Sequence, residues 1–169
     1  RRFSLCLLLC LMAAAPAPGN GAEPELPQVW LVTYGPGEVY WQRFGHNAIW
    51  IRDEDTGREA AFNWGMFDFD QAGFIPRLVR GTMLYWMAAR DVSASLAEAR
   101  RANRPVWLQE LALNPGQRLE LLSSLQTTAL PENKFYRYDY YRDNCSTRVR
   151  DALDSVLGGG LRRVSAADT

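Results

Sequence analysis

The sequence predicts an α+β fold in which an antiparallel sheet has helices packed on one side, and three stretches carry that prediction. Residues 44–52 and 58–65 read as two strands joined by the turn formers of 53–57, the clearest hairpin in the chain. Asn114-Pro115 reads as a helix N-cap followed by proline at the first helical position. Residues 139–157 read as a strand that runs through a turn into a helix, with Cys145 at the joint.

The remaining elements follow in order. Residues 23–27 form a short lead, and 28–34 form a first strand of bulky and β-branched residues that ends at Gly35-Pro36-Gly37. If the hairpin turn centres near residues 55 and 56, His46 faces the region of Asn63 to Gly65, which puts a side-chain amide near the imidazole. Residues 66–73 are a loop rich in Phe and Asp, 74–80 a short helical piece, and 82–88 a further strand. Ser93 or Ser95 caps a helix through Asn103, Arg104-Pro105 closes it, and 106–113 is extended. The helix opened by Asn114-Pro115 carries Leu119, Leu122 and Leu125 on one face and is broken by Pro131. Residues 135–141 form an aromatic strand. The helix that follows is capped by Asp143 or Asn144, spaces Val149, Leu153, Val156 and Leu157 along one face, and stops at Gly158, a residue suited to the C′ position.

Length and composition place all this in one globular domain. The chain has 169 residues, 47% of them hydrophobic, enough for a packed core, and its 19 basic and 19 acidic residues cancel. Nucleic-acid and nucleotide partners have no support: there is no basic excess, no glycine-rich phosphate loop and no dinucleotide fingerprint. A single histidine and the lack of a zinc-ligand pattern argue against a metal site, and no cofactor is expected.

Residues 1–22 stand apart. Arg1-Arg2 precede an apolar run shorter than the roughly 20 residues a bilayer span needs, and small residues follow it, as in a secretory signal peptide rather than an uncleaved anchor. The division is then 1–22 signal peptide, 23–158 folded domain, and 159–169 linker or truncated C-terminal extension. Removing 1–22 also removes Cys6 and Cys10, so Cys145 becomes the only thiol of an exported, periplasmic or envelope protein. It has no disulfide to make, and an unpaired thiol in an oxidising compartment invites another reason.

Position supplies one. At a helix start a thiol faces unpaired backbone N–H groups and the positive end of the helix dipole, which draw a cysteine pKa down from its ordinary value of about 8.5. The competing reading is a small buried filler, since free cysteines are among the most buried residues.

Taken together, Phe44-Gly-His46, the Asn63-Trp-Gly-Met-Phe-Asp-Phe69 segment and the Asp-Asn-Cys145-Ser-Thr-Arg block, set within residues 136–151, resemble the N-terminal periplasmic domain family of the Lnb-type lipoprotein N-acyltransferases. The resemblance spans about residues 28–157. The order, a strand histidine first and an Asn-Cys at a helix start last, is also similar to the permuted papain-like thiol enzymes. Known full-length Lnb-type proteins continue into a membrane region, so a chain ending at Thr169 is either a fragment or a relative lacking that region.

What the resemblance implies is acyl transfer through a Cys145 thioester, with His46 as base and a lipid or lipoprotein substrate at a membrane surface. Asn63 across the hairpin would hold the imidazole, and Asn144 or the N–H of Cys145 would contribute to an oxyanion hole. The alternatives are a thiol hydrolase of the same fold, cutting peptide amides or lipid esters, and a non-catalytic envelope binding module. Around the site, Asp68 and Asp70 belong to a solvated loop or supply a second orienter. Arg148 and Arg150 cover the helix or meet a phosphate head group. Tyr138, Tyr140 and Tyr141 pack the sheet or lend a hydroxyl, and the aromatic and Met residues of 64–87 form core or an acyl-chain groove.

Overall fold

The structure, a computed structural model, describes residues 26–54 and 56–167; the expected signal peptide of 1–22, with Cys6 and Cys10, lies outside the described residues. In chain order the elements are β1 (Gln28–Tyr34), a 3-10 turn (Tyr40–Gln42), β2 (His46–Arg52), β3 (Glu59–Met66), α1 (Phe74–Val79), β4 (Leu84–Arg90), α2 (Val92–Arg101), β5 (Val106–Glu110), α3 (Pro115–Thr128), β6 (Phe135–Arg137), α4 (Cys145–Val156) and α5 (Gly160–Ala167). Six strands form one sheet in the order β5-β1-β2-β3-β4-β6, with every neighbouring pair antiparallel.

The β2–β3 hairpin sets the register. Arg52 pairs with Glu59 and Ala48 with Asn63, the alignment the turn residues call for. The Asp53 N–H donates to the Arg58 carbonyl at 2.8 Å, and Gly57 takes the left-handed conformation (φ 63°) that closes the turn. Beyond Asn63 the β3–β4 pairing slips, a bulge that includes Gly65 at φ 94°.

Helices cover both faces of the sheet, not one as the sequence suggests. On one face Val29, Ile49, Ile51, Phe62 and Met87 bury against Leu121 and Leu125 of α3 and Val149, Leu153 and Val156 of α4. On the other, Val32, Tyr34 and Ala48 pack with Ala99 of α2. The reason lies in β1 and β2, where both alternating sets of side chains are apolar, so each face needs a cover.

Local details refine the sequence reading. Asp91, rather than Ser93 or Ser95, caps α2: its carboxylate accepts the Ala94 N–H at 2.6 Å and the Ser93 hydroxyl at 2.7 Å, while Ser95 lies inside the helix and donates back to the Asp91 carbonyl. Asn114 caps α3 in a reciprocal pair with Gln117, as Asn-Pro implies. The buried stripe of α3 is Leu121 and Leu125, one turn apart, and Leu119 is 52% exposed. β6 ends at Arg137, short of the expected Tyr141, because the Asp139 carboxylate accepts the N–H groups of Tyr141 and Arg142, both at 2.9 Å, and turns the chain early.

Where the sequence suggests a linker from Gly158, the chain makes α5. Gly158 (φ 59°) ends α4, with its N–H on the Ser155 carbonyl and that of Gly159 on the Asp154 carbonyl, a Schellman closure. The buried Asp154 side chain then accepts the N–H of Leu161 at 2.8 Å and pairs with Arg162 at 3.2 Å, which starts the next helix.

Candidate active site

Cys145 is the first residue of α4, and Asn144 is its N-cap. The Asn144 Oδ1 accepts the N–H groups of Ser146 at 2.9 Å and Thr147 at 3.0 Å, while the Thr147 hydroxyl accepts the Asn144 N–H at 2.8 Å. Its Nδ2 donates to the Tyr140 carbonyl at 2.8 Å. The side-chain oxygen, the backbone N–H and one of the two amide N–H groups of Asn144 therefore hold the turn, which leaves a second amide N–H for the expected oxyanion hole. The Cys145 N–H, the other expected donor, has no hydrogen-bond partner among the described residues and faces the open end of the helix.

His46 opens β2, and its Nε2 lies 3.0 Å from the Asn63 Oδ1 on the adjacent strand. Because Asn63 pairs with Ala48, two residues along, the contact is a diagonal cross-strand neighbour on one face. Asn63 is 5% exposed, and its Nδ2 donates to the Ala61 carbonyl at 2.8 Å. A carbonyl only accepts, so the amide nitrogen must point to Ala61 and the amide oxygen to His46. That oxygen in turn needs a donor, which places the ring proton on Nε2 and leaves Nδ1 as the basic nitrogen available to the thiol.

His46 also acts on the thiol itself. Burial alone pushes the thiol up. It is outweighed by hydrogen bonding from His46, the charge of His46, the Asn47 backbone N–H and the Ser146 hydroxyl, and the thiol is brought to about 7. Half-buried beside the core, the sulfur is packed as a filler would be, yet its pKa is brought to about 7, where a thiol ionises near neutral pH.

Two neighbours, Asn47 and Tyr136, escaped the sequence reading. Asn47, next to His46 but on the opposite sheet face, accepts from the Thr33 hydroxyl at 3.0 Å and donates to the Ser146 hydroxyl at 2.9 Å, tying β1 and β2 to the start of α4. Strand alternation puts Asn47 on the face opposite His46, but which of the two faces α4 covers is set by tertiary packing. Tyr136 and Tyr138 lie close enough to the thiol for its charge to act on them: burial first, and the Cys145 charge second, push the Tyr138 hydroxyl up to about 12 and raise Tyr136 further still. Tyr138 stacks on Tyr85 with ring centroids 4.4 Å apart, whereas Tyr140 and Tyr141 are exposed beside Phe44.

Other expected residues are not brought to the thiol. Asp68 and Asp70 stay in an exposed loop where the Asp68 carboxylate accepts the Asp70 N–H at 2.8 Å, so Asn63 is the residue that meets the imidazole. Arg148 pairs with Asp143 through Nε and Nη2 and lies over the Tyr136 ring, 4.5 Å from its centroid. Arg150 pairs with Asp151 at 2.8 Å. No three His, Cys, Asp or Glu side chains come together as a metal site among the described residues.

Two cavities flank the site. A polar one of about 60 Å³ lies behind His46 and Asn63, with Tyr34, Arg90, Glu98 and Arg104 in its wall. A larger one of about 450 Å³ is lined by Leu31, Leu111, Leu113, Val149, Leu153 and Leu157, and also by Asn47 and Ser146, the chain neighbours of His46 and Cys145. No helix among the described residues is long and apolar enough to cross a membrane. A family model described as the Lnb N-terminal periplasmic domain matches residues 22–169. Comparison with curated proteins and with solved structures found no match.

Proposed function

The chain belongs to the Lnb N-terminal periplasmic domain family, a protein of the cell envelope, and from that premise we propose that it is a thiol acyltransferase working through a Cys145 thioester. The observation that carries this reading is the Cys145 thiol at a helix N-terminus, brought to about 7 by a histidine whose far nitrogen is pinned by Asn63. Cysteine, histidine and asparagine in these roles, histidine first in the chain and cysteine last, are the arrangement of a permuted papain-like site.

In the proposed reaction the thiolate Sγ attacks the carbonyl carbon of an ester. The carbonyl π pair moves to oxygen, and the tetrahedral intermediate collapses to a thioester as the alkoxide leaves with a proton from His46. An amine then attacks the thioester carbonyl, His46 takes the amine proton, and the thiolate is expelled with the acyl group now in an amide. Asn63 keeps Nε2 protonated throughout, so Nδ1 is the nitrogen that gives and takes the proton.

A lipid donor is favoured by the leucine-lined cavity, whose volume of about 450 Å³ and apolar wall suit an acyl chain and whose polar lining, Asn47 and Ser146, adjoins the reacting pair. Acyl transfer to an amine, rather than to water, is tested by giving the protein phospholipid vesicles with a lipidated peptide that bears a free N-terminal amine. The expected product is the N-acylated peptide, absent with Cys145→Ala. Free fatty acid with no acylated peptide would make the enzyme a hydrolase, and neither product would leave a binding module.

A further inference from the structure

The Tyr136 hydroxyl has no role in the reaction as described, yet its environment is unusual. The side chain is 8% exposed, and its oxygen is buried with no hydrogen-bond partner among the described residues. Leaving such a group unpaired is destabilising, so its persistence points to a partner that arrives with the substrate. The ring itself is well held: it pairs across the sheet from Tyr85 and lies beneath the Arg148 guanidinium at 4.5 Å.

The hydroxyl looks into a hollow beside the thiol. A Cβ added to Gly65 would stand 3.9 Å from the Tyr136 oxygen and 4.0 Å from the Cys145 Cβ, so the missing side chain leaves room for one small group between them. Gly65, at φ 94° in the bulge, is the residue type that opens this space, since L side chains rarely adopt that backbone conformation. The space borders the Cys145 end of α4, whose first N–H has no partner among the described residues.

Resting on the acyl-transfer reading above, we propose that Tyr136 is a catalytic residue whose hydroxyl, with the Cys145 N–H, donates a hydrogen bond to the carbonyl oxygen of the substrate as it becomes an oxyanion. When Sγ bonds to the carbonyl carbon and the π pair shifts to oxygen, the charge forms inside the Gly65 hollow, and the phenol satisfies its unpaired donor at that moment. No proton leaves Tyr136. The interaction strengthens with the charge, so it lowers the barrier more than it tightens substrate binding.

Tyr136→Phe removes one oxygen and keeps the ring under Arg148. Its acylation by a p-nitrophenyl ester should fall on the order of 100-fold in kcat with little change in KM, as for loss of one oxyanion donor. Alkylation of Cys145 by iodoacetamide, a displacement that builds no oxyanion, should keep its rate and pH midpoint. Equal loss of both reactions would mean that Tyr136 only supports the fold, and loss of neither would mean that it is idle; either result overturns the proposal. If wild-type Cys145 takes no acyl group at all, the acyl-transfer reading falls and this inference with it, whereas a normally acylated Tyr136→Phe variant sinks the inference alone. Should the variant not fold, the wild-type protein carrying 13Cζ-tyrosine decides: a short aldehyde adding to Cys145 as a hemithioacetal should shift the Tyr136 resonance, and an unmoved resonance would refute the assignment.

Discussion

Asn63 and His46 form a fixed unit: the amide oxygen meets Nε2 at 3.0 Å because the amide nitrogen is committed to the Ala61 carbonyl at 2.8 Å. Removing the amide frees the imidazole to rotate and to exchange tautomers. Asn63→Ala should therefore lower the rate of Cys145 acylation by at least tenfold, while Asn63→Asp, which keeps the accepting oxygen, should retain more of it. Equal rates in all three proteins, measured by stopped-flow release of p-nitrophenol, would detach Asn63 from the chemistry.

The pH dependence of the thiol has a definite sign. Its pKa is brought down to about 7 from an ordinary value near 9, so the thiolate predominates above about 7 and is lost as pH falls through it. The stability that this shift contributes follows the same course, complete above 9 and lost as pH falls through 7. Iodoacetamide labelling of Cys145 should show a midpoint near 7. In His46→Ala the midpoint should rise toward the ordinary thiol range, cutting the rate at neutral pH by about tenfold per unit of displacement.

Asn144 separates a structural from a chemical role. As the N-cap of α4, its replacement by Ala should cost about 1 kcal/mol of stability in urea unfolding. Since its oxygen and one amide N–H are committed to the cap, the rate of acylation per folded molecule should change less than tenfold. A loss of several hundredfold with stability intact would place its other amide N–H in the oxyanion hole.

The leucine-lined cavity predicts a chain-length preference. Leu157→Trp, which adds bulk to its wall, should slow acylation by long-chain esters at least tenfold relative to acetate esters. Parallel changes for both would show that the acyl chain lies elsewhere.

How much of this was legible in the sequence depends on how local the cause is. The β2–β3 register follows from turn residues a few positions apart, so the approach of Asn63 to His46 was readable. The same holds for the α4 start, because an Asn cap and its Thr partner sit three residues apart. Envelope location was carried by the leader and the resemblance, and the family match agrees with it.

What stayed hidden was tertiary. Tyr136 reads as one of several strand aromatics until β6 is laid beside β4 and α4 covers it. Ala99 of α2 gives no hint that the second sheet face needs it. The Gly158-Gly-Gly160 run looks like a flexible linker unless the buried Asp154, holding the first turn of α5 from four residues before the first glycine, is known.

The central claim is that His46 makes Cys145 an acyl-accepting nucleophile. It is met most directly by intact-protein and peptide mass spectrometry after brief exposure to an activated fatty acyl ester at pH 7. The account predicts one acyl group on Cys145 in the wild-type protein, none in Cys145→Ala, and a rate at least a hundredfold lower in His46→Ala. Acyl groups scattered over lysines with Cys145 untouched, or a Cys145 adduct that forms at the same rate without His46, would contradict it.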